Sequence, residues 1–435
     1  MTRTKWYNWA GNQMCSPKKI LSPKTEEELI TIVKDAISSN SKVKAIGSGH
    51  SFTGTALTDG TLLDLSQYGE ITGIDREKNL ITVQTGKKLE DLSPELWDHG
   101  LSMSDLGDIA YQSVGGAMST GTHGTGLSFG CLATQIVAAR VITGEGDVLD
   151  CSRTKEPDLF RSAIVGVGAA GLLSTVTLQL EDRFNLHAQE VMLPLDEVID
   201  QQDEFAETNE HFEYFCQPGG SMAFTKRNNR TTTPAQPDSA WRRRYEEDFF
   251  PHVYRANRVV ERYLPKVGTF INRFIRPTGR EDYVDRSYSV FTSERKMKFV
   301  EMEYFIPRVH AREALERIFR LVETSGLEIT MPIEVRWAKG DDLPLSMCYG
   351  RDTVSLAIHV RVNEPFEPYF VPVETIMSDY DGRPHWGKMH FQTADSLSSI
   401  YPEWETFQRA RGELDPDGIF ENNYTRRVLG TINPG

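Results

Sequence analysis

The sequence predicts an α+β protein built from two main parts, and three observations support this fold class. The chain has 435 residues, which exceeds one ordinary domain and suggests two or three. Up to about residue 185 it is rich in glycine and alternates strand-like with helix-like segments. Farther on, strand patterns at 299–306, 333–338 and 354–362 accompany a helical pattern at 311–322, which is typical of a sheet covered by helices.

Local signals define the elements of the first part. Thr25-x-x-Glu28 is a capping box, and the apolar residues after it fall at helical spacing, so we predict a helix there. Short β-branched and apolar runs predict strands at 43–46, 80–84 and 137–142.

The middle of the chain gives weaker signals. Residues 218–240 are rich in Gly, Asn, Thr and Pro, which predicts a long surface excursion. Aromatic and basic residues then alternate in a helical pattern to about residue 275. The basic run at 242–244 is followed closely by acidic residues, and we interpret it as a solvated helix face.

Composition and charge exclude several classes of protein. A formal net charge of -14 argues against broad binding to nucleic acid or anionic membranes. The five cysteines have neither zinc-ligand nor redox spacing, which indicates idle thiols in a reducing compartment. The sequence has no apolar leader and no stretch near the roughly 20 apolar residues of a membrane span, so we expect a cytoplasmic protein.

Three glycine patches in the first part predict a cofactor site. The run Gly47-Ser48-Gly49-His50-Ser51 follows a strand and suits a diphosphate, because glycines let backbone N–H groups approach phosphate oxygens. It fits neither a Walker loop nor a Gly-x-Gly-x-x-Gly dinucleotide motif. Two further patches, at 113–126 and 166–171, favour a large phosphate-bearing cofactor, since a single patch would more often serve packing.

At this point the motifs resemble a known family. The series formed by 47–52, by Gly121-Thr122-His123-Gly124-Thr125-Gly126 and by 171–174 is similar to the vanillyl-alcohol-oxidase-type flavoproteins, within them to the aldonolactone and alditol oxidases. The resemblance covers the whole chain. It implies a two-subdomain FAD-binding domain of the PCMH type at 1–185 and a substrate (cap) domain at 186–395, an antiparallel sheet covered by helices. Residues 396–435 are expected to return to the FAD domain.

The resemblance also implies the cofactor contacts. FAD is expected on the 47–51 loop, with His50 bonded covalently to the flavin; the alternative is a turn histidine that only hydrogen-bonds phosphate. No cysteine stands where bicovalent relatives have their second link, so a single link is expected. The expected cofactor-binding residues are His50, Ile46, Gly47, Ser48, Gly49, Ser51, Phe52, Gly107, Ser113, Gly116, Thr120, Gly121, Thr122, His123, Gly124, Gly126 and Gly171.

The expected substrate face lies in the second part. On the strand at 333–338, Ile333, Val335 and Trp337 should face the core, so Glu334 and Arg336 project together the other way. An exposed ion pair is the alternative. The resemblance implies that this pair contacts substrate and that Lys388 in Pro384-His385-Trp386-Gly387-Lys388 reaches its reacting end. From its place on the strand at 354–362 we expect His359 to line the pocket; the alternative is a satisfied sheet histidine.

The implied activity is oxidation of an aldonolactone (L-gulono-, L-galactono- or D-arabinono-1,4-lactone) at a CH–OH group. The hydroxyl proton would go toward Lys388 or Arg336, hydride to FAD, and two electrons to O₂ to give H₂O₂. By the same resemblance, Gly107 stands where the plant galactonolactone dehydrogenase carries alanine and oxidases carry glycine; it should leave room for oxygen, unless it is only a turn glycine. An alditol or sugar oxidase and an aldonolactone dehydrogenase with another acceptor stay open.

Two readings from other classes are disfavoured. A non-enzymatic sugar- or nucleotide-binding protein would not need Glu334, Arg336 and Lys388 together. A metal enzyme using His123, His385 and His390 would lack a common zinc spacing, and no carboxylates are expected to cluster there, so we expect no metal.

Overall fold

The computed structural model describes residues 4–236, 281–293 and 297–432. The strands of its N-terminal part are β1 (Trp6–Tyr7), β2 (Met14–Cys15), β3 (Lys19–Leu21), β4 (Val43–Ile46), β5 (Thr61–Asp64), β6 (Ile71–Asp75), β7 (Leu80–Gln84), β8 (Leu101–Ser102), β9 (Ile136–Ile142), β10 (Val148–Ser152), β11 (Leu172–Gln179) and β12 (Glu181–Asp182). The helices of this part are α1 (Glu26–Ser38), α2 (Leu89–Asp98), α3 (Val114–Ser119) and α4 (Pro157–Ile164).

Two sheets organise the N-terminal part. Strands β3, β5 and β4 form a parallel sheet in that order, and β10, β9, β11, β7 and β6 form an antiparallel one. Helix α1 buries Leu29 and Val33 against the parallel sheet. Its predicted N-terminus is confirmed, because Thr25 Oγ1 accepts a hydrogen bond from the Glu28 N–H at 3.3 Å. Strand β4 ends at Ile46, so the glycine loop begins at the carboxyl end of this sheet.

The second part is one antiparallel sheet with helices. Its strands are β13 (Asn185–Pro194), β14 (His211–Cys216), β15 (Met222–Thr231), β16 (Asp282–Arg286), β17 (Phe299–Pro307), β18 (Ile333–Ala338), β19 (Thr353–Arg361) and β20 (Arg383–Pro384), and its helices are α5 (Leu195–Thr208), α6 (Ser287–Phe291), α7 (Ala311–Ser325) and α8 (Glu367–Ser378). The strand order is β16-β13-β15-β14-β18-β19-β17-β20. The strands predicted at 299–306, 333–338 and 354–362 and the helix predicted at 311–322 are confirmed to within a few residues.

The two faces of this sheet differ in chemistry. One face carries apolar side chains such as Val335 and Trp337, which pack with α5, α7 and α8 in a single buried cluster. The other face carries the buried polar residues Glu301, Glu303 and Arg336. Side chains alternate along a strand, so the two faces carry different residues. Contacts of Glu303 and Arg336 with His123 show that this polar face turns toward the N-terminal part. We call it the polar face below.

The predicted surface excursion at 218–240 is wrong where strand β15 forms. Strand β15 occupies ten of these residues and pairs with β13 along its whole length. Polar residues misled the prediction: Thr225 and Asn228 are buried within the sheet, and Thr225 Oγ1 donates to Val191 O at 2.9 Å. The helical pattern toward residue 275 and the basic run at 242–244 lie outside the described residues.

The C-terminal segment contains α9 (Ala394–Ser398), α10 (Trp404–Leu414) and α11 (Asn423–Leu429). It packs on the N-terminal part: the Val43 N–H donates to Ile419 O at 2.9 Å, and Asn422 Nδ2 donates to Gly54 O at 2.9 Å. These contacts and the start of β13 at Asn185 support the domain limits 1–185, 186–395 and 396–435, which stay a proposal. Within the described ranges, no helix is both long and apolar enough to cross a bilayer.

Candidate active site

The 47–51 loop offers unused hydrogen-bond donors. Among the described residues, the backbone N–H groups of Ser48, Gly49, His50 and Ser51 donate to no protein oxygen, and the buried Ser48 Oγ has no partner. Buried or half-buried donors of this kind are normally satisfied, so the loop is built for an external acceptor. Gly49 has a φ of +66°, which favours glycine and turns successive N–H groups toward one side.

The loop lies directly against the start of α3. A Cβ on Gly47 would fall 1.8 Å from Ser113 Oγ, so only glycine fits there. Ser113 is buried and caps α3, because its Oγ accepts from the Gly116 N–H at 3.3 Å. The predicted cofactor residues Gly47, Ser113 and Gly116 are therefore neighbours in space, and the arrangement fits the diphosphate of FAD.

His50 is held between two aromatic rings. Its ring stacks on Trp9 at 5.2 Å and on Tyr111 at 5.7 Å between centroids. Burial and the charges of Lys388 and Lys88 lower the pKa of His50 to about 4. The imidazole is therefore neutral near pH 7, which is the form that can form a bond through a nitrogen lone pair.

The Phe52 side chain packs with the second part of the chain. Its ring is buried beside Phe299 at 5.7 Å between centroids and belongs to the apolar cluster of the second part. The Lys388 ammonium lies 5.4 Å from its centroid. Phe52 thus links the loop to the second part and to Lys388.

In the second glycine patch, most backbone N–H groups of residues 120–126 already donate within the protein. The pairs are Thr120 to Gly116 O, Gly121 to Met118 O, Thr122 to Ala117 O, Gly124 to Asp105 Oδ2 and Gly126 to Trp337 O. The last bond, 2.8 Å long, attaches the patch to β18. A cofactor contact from these five residues would thus come from side chains or carbonyl oxygens. Gly171, in the third patch, has a packing reason, because its Cβ would fall 2.4 Å from Val141 Cγ1.

Gly107 faces packed protein. A Cβ there would lie 3.0 Å from Thr122 Cγ2 and 3.2 Å from His123 O. Its φ is outside the left-handed region, so the alternative of an obligatory turn glycine is wrong. The room that this glycine leaves is filled by Thr122 and His123, which weakens the expectation that it admits oxygen.

Glu334 and Arg336 are buried, with 4% and 6% of their surface exposed, so the alternative of an exposed ion pair is wrong. Their predicted orientation is confirmed, since both lie on the polar face while Val335 joins the apolar cluster. Arg336 Nε lies 3.4 Å from Glu334 Oε1, but its shorter contact is from Nη2 to Glu303 Oε1 at 2.7 Å.

Glu303 and Glu301 were not predicted as site residues. They alternate with apolar residues on β17, and this Glu-x-Glu pattern in a strand was the available signal. Glu303 Oε1 also lies 2.9 Å from His123 Nε2. Burial disfavours its charge, but Arg336 and His123 hold the pKa of Glu303 well below its usual range.

Arg336 is correspondingly a permanent cation. Burial disfavours the charged guanidinium, yet Glu303 and Glu334 outweigh this and raise the pKa of Arg336. The pair is therefore ionised inside the protein.

A second ion pair lies on the same face. Lys388 Nζ contacts Glu301 Oε2, and His359 Nε2 lies 3.7 Å from Glu301 Oε1 and 4.0 Å from Glu334 Oε2. The Phe52 N–H donates to Gly387 O at 2.7 Å, which places the Lys388 segment beside the 47–51 loop. The structure thus brings together Glu334, Arg336, His359, Lys388 and the predicted cofactor loop.

The expectation that no carboxylates lie near the histidines is wrong. Glu303 lies with His123 and His385, their ligand atoms all within 4.8 Å of one another, and Glu301, Glu334 and His359 form a similar group. His390 is elsewhere and pairs with Tyr424 OH at 2.9 Å. Arg336 and Lys388 already neutralise these carboxylates, so a metal ion would have to displace a bound cation.

Comparisons with known proteins agree with this arrangement. The family model described as D-arabinono-1,4-lactone oxidase matches residues 176–428, and the model described as FAD binding domain matches residues 17–152. The chain is 42% identical to L-gulono-1,4-lactone dehydrogenase of Mycobacterium tuberculosis, covering 98% of this chain and 99% of the relative. It is 33% identical to L-gulonolactone oxidase of Bos taurus, covering 98% of each.

The crystal structure of a cholesterol oxidase from B. sterolicum has the same fold. It aligns with a TM-score of 0.82 and 16% identity, covering 98% of this chain and 97% of the other. The predicted fold class, an FAD-binding part plus an antiparallel sheet covered by helices, is confirmed.

Proposed function

Because the chain belongs to the D-arabinono-1,4-lactone oxidase family of flavin-dependent oxidoreductases, we propose that it oxidises a CH–OH group of an aldonolactone such as L-gulono-, L-galactono- or D-arabinono-1,4-lactone. The observation that carries the proposal is the placement of two cations, the buried Arg336 and the half-buried Lys388, on one sheet face beside the 47–51 loop. A sugar lactone offers several hydroxyls, which suit a face that carries both cations and carboxylates.

The proposed cofactor is FAD on the 47–51 loop, joined covalently to His50. The unused donors of Ser48 to Ser51 and the neutral His50 ring support this assignment. Bound FAD supplies a two-electron acceptor for hydride, and a histidyl link retains it and raises its redox potential.

The two cations stabilise charge and do not take up the substrate proton. Arg336 is kept protonated by Glu303 and Glu334, and Lys388 is paired with the Glu301 carboxylate. Aimed at a substrate hydroxyl, both favour the oxyanion that develops as hydride leaves, an effect worth several kcal/mol in a water-excluded site. Glu334 orients Arg336 and offers an acceptor to the remaining sugar hydroxyls.

A dehydrogenase that uses an acceptor other than oxygen is the second candidate. The packing of Thr122 and His123 into the space beside Gly107 favours it, because the glycine leaves no open room there. The 42% identical relative is named a dehydrogenase and the 33% identical one an oxidase, so both acceptors occur among the relatives. Oxygen as acceptor, with H₂O₂ as product, stays the first proposal on the strength of the motif resemblance.

A substrate panel with two readouts tests these proposals. The purified holoenzyme is given the three lactones, xylitol and sorbitol, with peroxide followed in air and reduction of a two-electron dye followed without oxygen. We expect a lactone to give the highest kcat/KM. Dye reduction without peroxide indicates the dehydrogenase, faster turnover of an alditol indicates the alditol oxidase, and no flavin reduction by any of the five rejects the proposed function.

A further inference from the structure

We propose that His359 accepts the proton that the substrate hydroxyl loses, through the lone pair on its Nε2. The proposal rests on the proposed function, since it names the proton acceptor of that reaction. An alcohol oxidised by hydride loss must also lose its hydroxyl proton, and the two cations nearest the loop are poor acceptors. Arg336 is bound to Glu303 at 2.7 Å, and Lys388 is bound to Glu301.

Two neighbouring histidines have no lone pair to offer. The Nδ1 of His123 lies 2.8 Å from Gly124 O and its Nε2 lies 2.9 Å from the Glu303 carboxylate. Both ring nitrogens are thus already engaged by protein oxygens, and neither is open to a substrate hydroxyl. In His385, Nδ1 accepts from the Gly387 N–H at 2.9 Å, which leaves the hydrogen on Nε2. Burial holds the pKa of His385 well below its usual range, so it does not take a second proton.

His359 has the opposite arrangement. Its Nδ1 lies 3.0 Å from Pro332 O, which can only accept, so Nδ1 carries the hydrogen and Nε2 keeps its lone pair. Nε2 lies 3.7 Å from Glu301 and 4.0 Å from Glu334, too far for a hydrogen bond in the neutral state. The same two carboxylates would stabilise the imidazolium formed on protonation.

The groups that face His359 come from three strands. Glu301 lies on β17 with the Phe299 ring, which meets the imidazole edge-on at 5.2 Å, and Glu334 lies on β18. Arg361 lies on the same face of β19 as His359. Lys388 does not contact His359 directly but pairs with Glu301, which faces it. Glu301 thus acts as a positioning residue, because it holds Lys388 and faces His359 with the same carboxylate.

The step balances. The O–H bond breaks and its proton goes to His359 Nε2, while its electron pair becomes the second bond of the new carbonyl. The C–H bond breaks and its hydrogen leaves with both electrons, so the substrate is oxidised by two electrons. The oxidant is the FAD of the proposed function, which is reduced by the same two.

The test measures anaerobic flavin reduction by the best panel substrate between pH 5 and 9. In the wild-type holoenzyme the rate should fall at acid pH, as His359 becomes protonated. His359→Asn retains an N–H for Pro332 O but has no basic nitrogen. We expect the rate of flavin reduction in this variant to fall by about 10²- to 10⁴-fold, with little change in substrate binding. The decrease of the rate at acid pH, called the acid limb, should be lost. His310→Asn, at a half-exposed position on the far side of the sheet from this cluster, is the matched control and should behave as wild type.

A second variant keeps the proposal testable if His359→Asn does not retain flavin. Glu301→Gln preserves a hydrogen bond to Lys388 but removes the negative charge beside His359, so the acid limb should move to lower pH. A His359→Asn enzyme with the wild-type rate or acid limb overturns the proposal, as does an unmoved limb in Glu301→Gln. Absence of wild-type flavin reduction by every panel substrate instead overturns the proposed function.

Discussion

Arg336 donates from Nη2 to Glu303 Oε1 over 2.7 Å, between two strands of one sheet and out of reach of solvent. The same oxygen lies 2.9 Å from His123, which belongs to the second glycine patch. One carboxylate therefore fixes the guanidinium on the polar face and ties the N-terminal part to the second part. Both roles depend on its charge.

Glu303→Gln should destabilise the protein by about 3 kcal/mol or more, because it leaves Arg336 buried with less compensation. Urea denaturation of the holoenzyme measures the change. Glu313→Gln removes an exposed carboxylate from α7 and serves as the control, with an expected change below about 0.5 kcal/mol. Equal stability of Glu303→Gln and wild type would show that the buried charge pair is not needed for folding.

Attachment of FAD should be insensitive to pH down to about pH 5. The attacking form is the neutral imidazole, and its fraction halves only near the His50 pKa of about 4. The measurement is covalent flavin fluorescence on denaturing gels after adding FAD to apoprotein at pH 4 to 8. A midpoint near the ordinary histidine value of about 6.5 contradicts this expectation, and flavin retained covalently by His50→Ala would place the link on another residue.

Gly107→Ala should be destabilised by about 1–3 kcal/mol, because its Cβ meets Thr122 Cγ2 at 3.0 Å. Thr122→Ser removes that methyl and retains the hydroxyl that accepts from Gln112 at 3.0 Å. The double variant should recover most of the loss, as a double-mutant cycle of thermal stability will show. Additive effects would mean that the two side chains do not compete for this space.

Wild type, Gly107→Ala, Thr122→Ser and the double variant also test whether oxygen is the electron acceptor. If space beside residue 107 governs oxygen access, peroxide formation relative to dye reduction should change between Gly107→Ala and the double variant. An identical ratio in all four would remove Gly107 from the oxygen argument.

Lys44 should make stability depend on pH. Its Nζ donates to Gly168 O at 2.7 Å and Phe420 O at 3.0 Å, and burial lowers the pKa of Lys44 to about 7, although Asp415 opposes the shift. Between about pH 7 and 10.5 the unfolded chain binds a proton that the folded chain does not, so this group makes stability rise with pH.

The free energy of unfolding at pH 7 to 9.5 measures this contribution by difference. Lys44→Met should reduce the slope against pH relative to wild type. Lys78→Met, at a side chain that is 73% exposed, controls for the exchange itself. An unchanged slope in Lys44→Met would mean that Lys44 stays charged in the folded protein.

Much of the fold was predictable because its signals are local. The apolar residues of β17, β18 and β19 alternate, and the apolar stripe of α7 repeats at helical spacing, so the sequence predicts strands and helix within a few residues. Strand β15 was not predictable in this way, because polar residues such as Thr225 and Asn228 are buried only through its pairing with β13 and β14. Local composition alone made it resemble a loop.

The site was predictable where a motif exists, and less so where partners come from elsewhere in the chain. Glu334, Arg336 and Lys388 belong to recognisable segments. Glu301 and Glu303 act only because β17 lies beside β19 and the Lys388 segment, which no spacing in the sequence reveals. The acceptors of the N–H groups of the glycines at 120–126 likewise come from the fold and are not visible in the sequence. Local composition alone therefore made this segment resemble a ligand-binding loop, although these N–H groups donate within the protein.

The central proposal, a flavin-dependent oxidation in which Lys388 stabilises the developing oxyanion, is tested most directly by single-turnover flavin reduction. Wild type and Lys388→Met are mixed with excess lactone without oxygen, and flavin absorbance is followed by stopped flow, with Lys78→Met as the control. We expect full reduction in wild type and in the control, and a rate at least about 10²-fold lower in Lys388→Met with FAD still bound. An unchanged rate in Lys388→Met would contradict the proposed site.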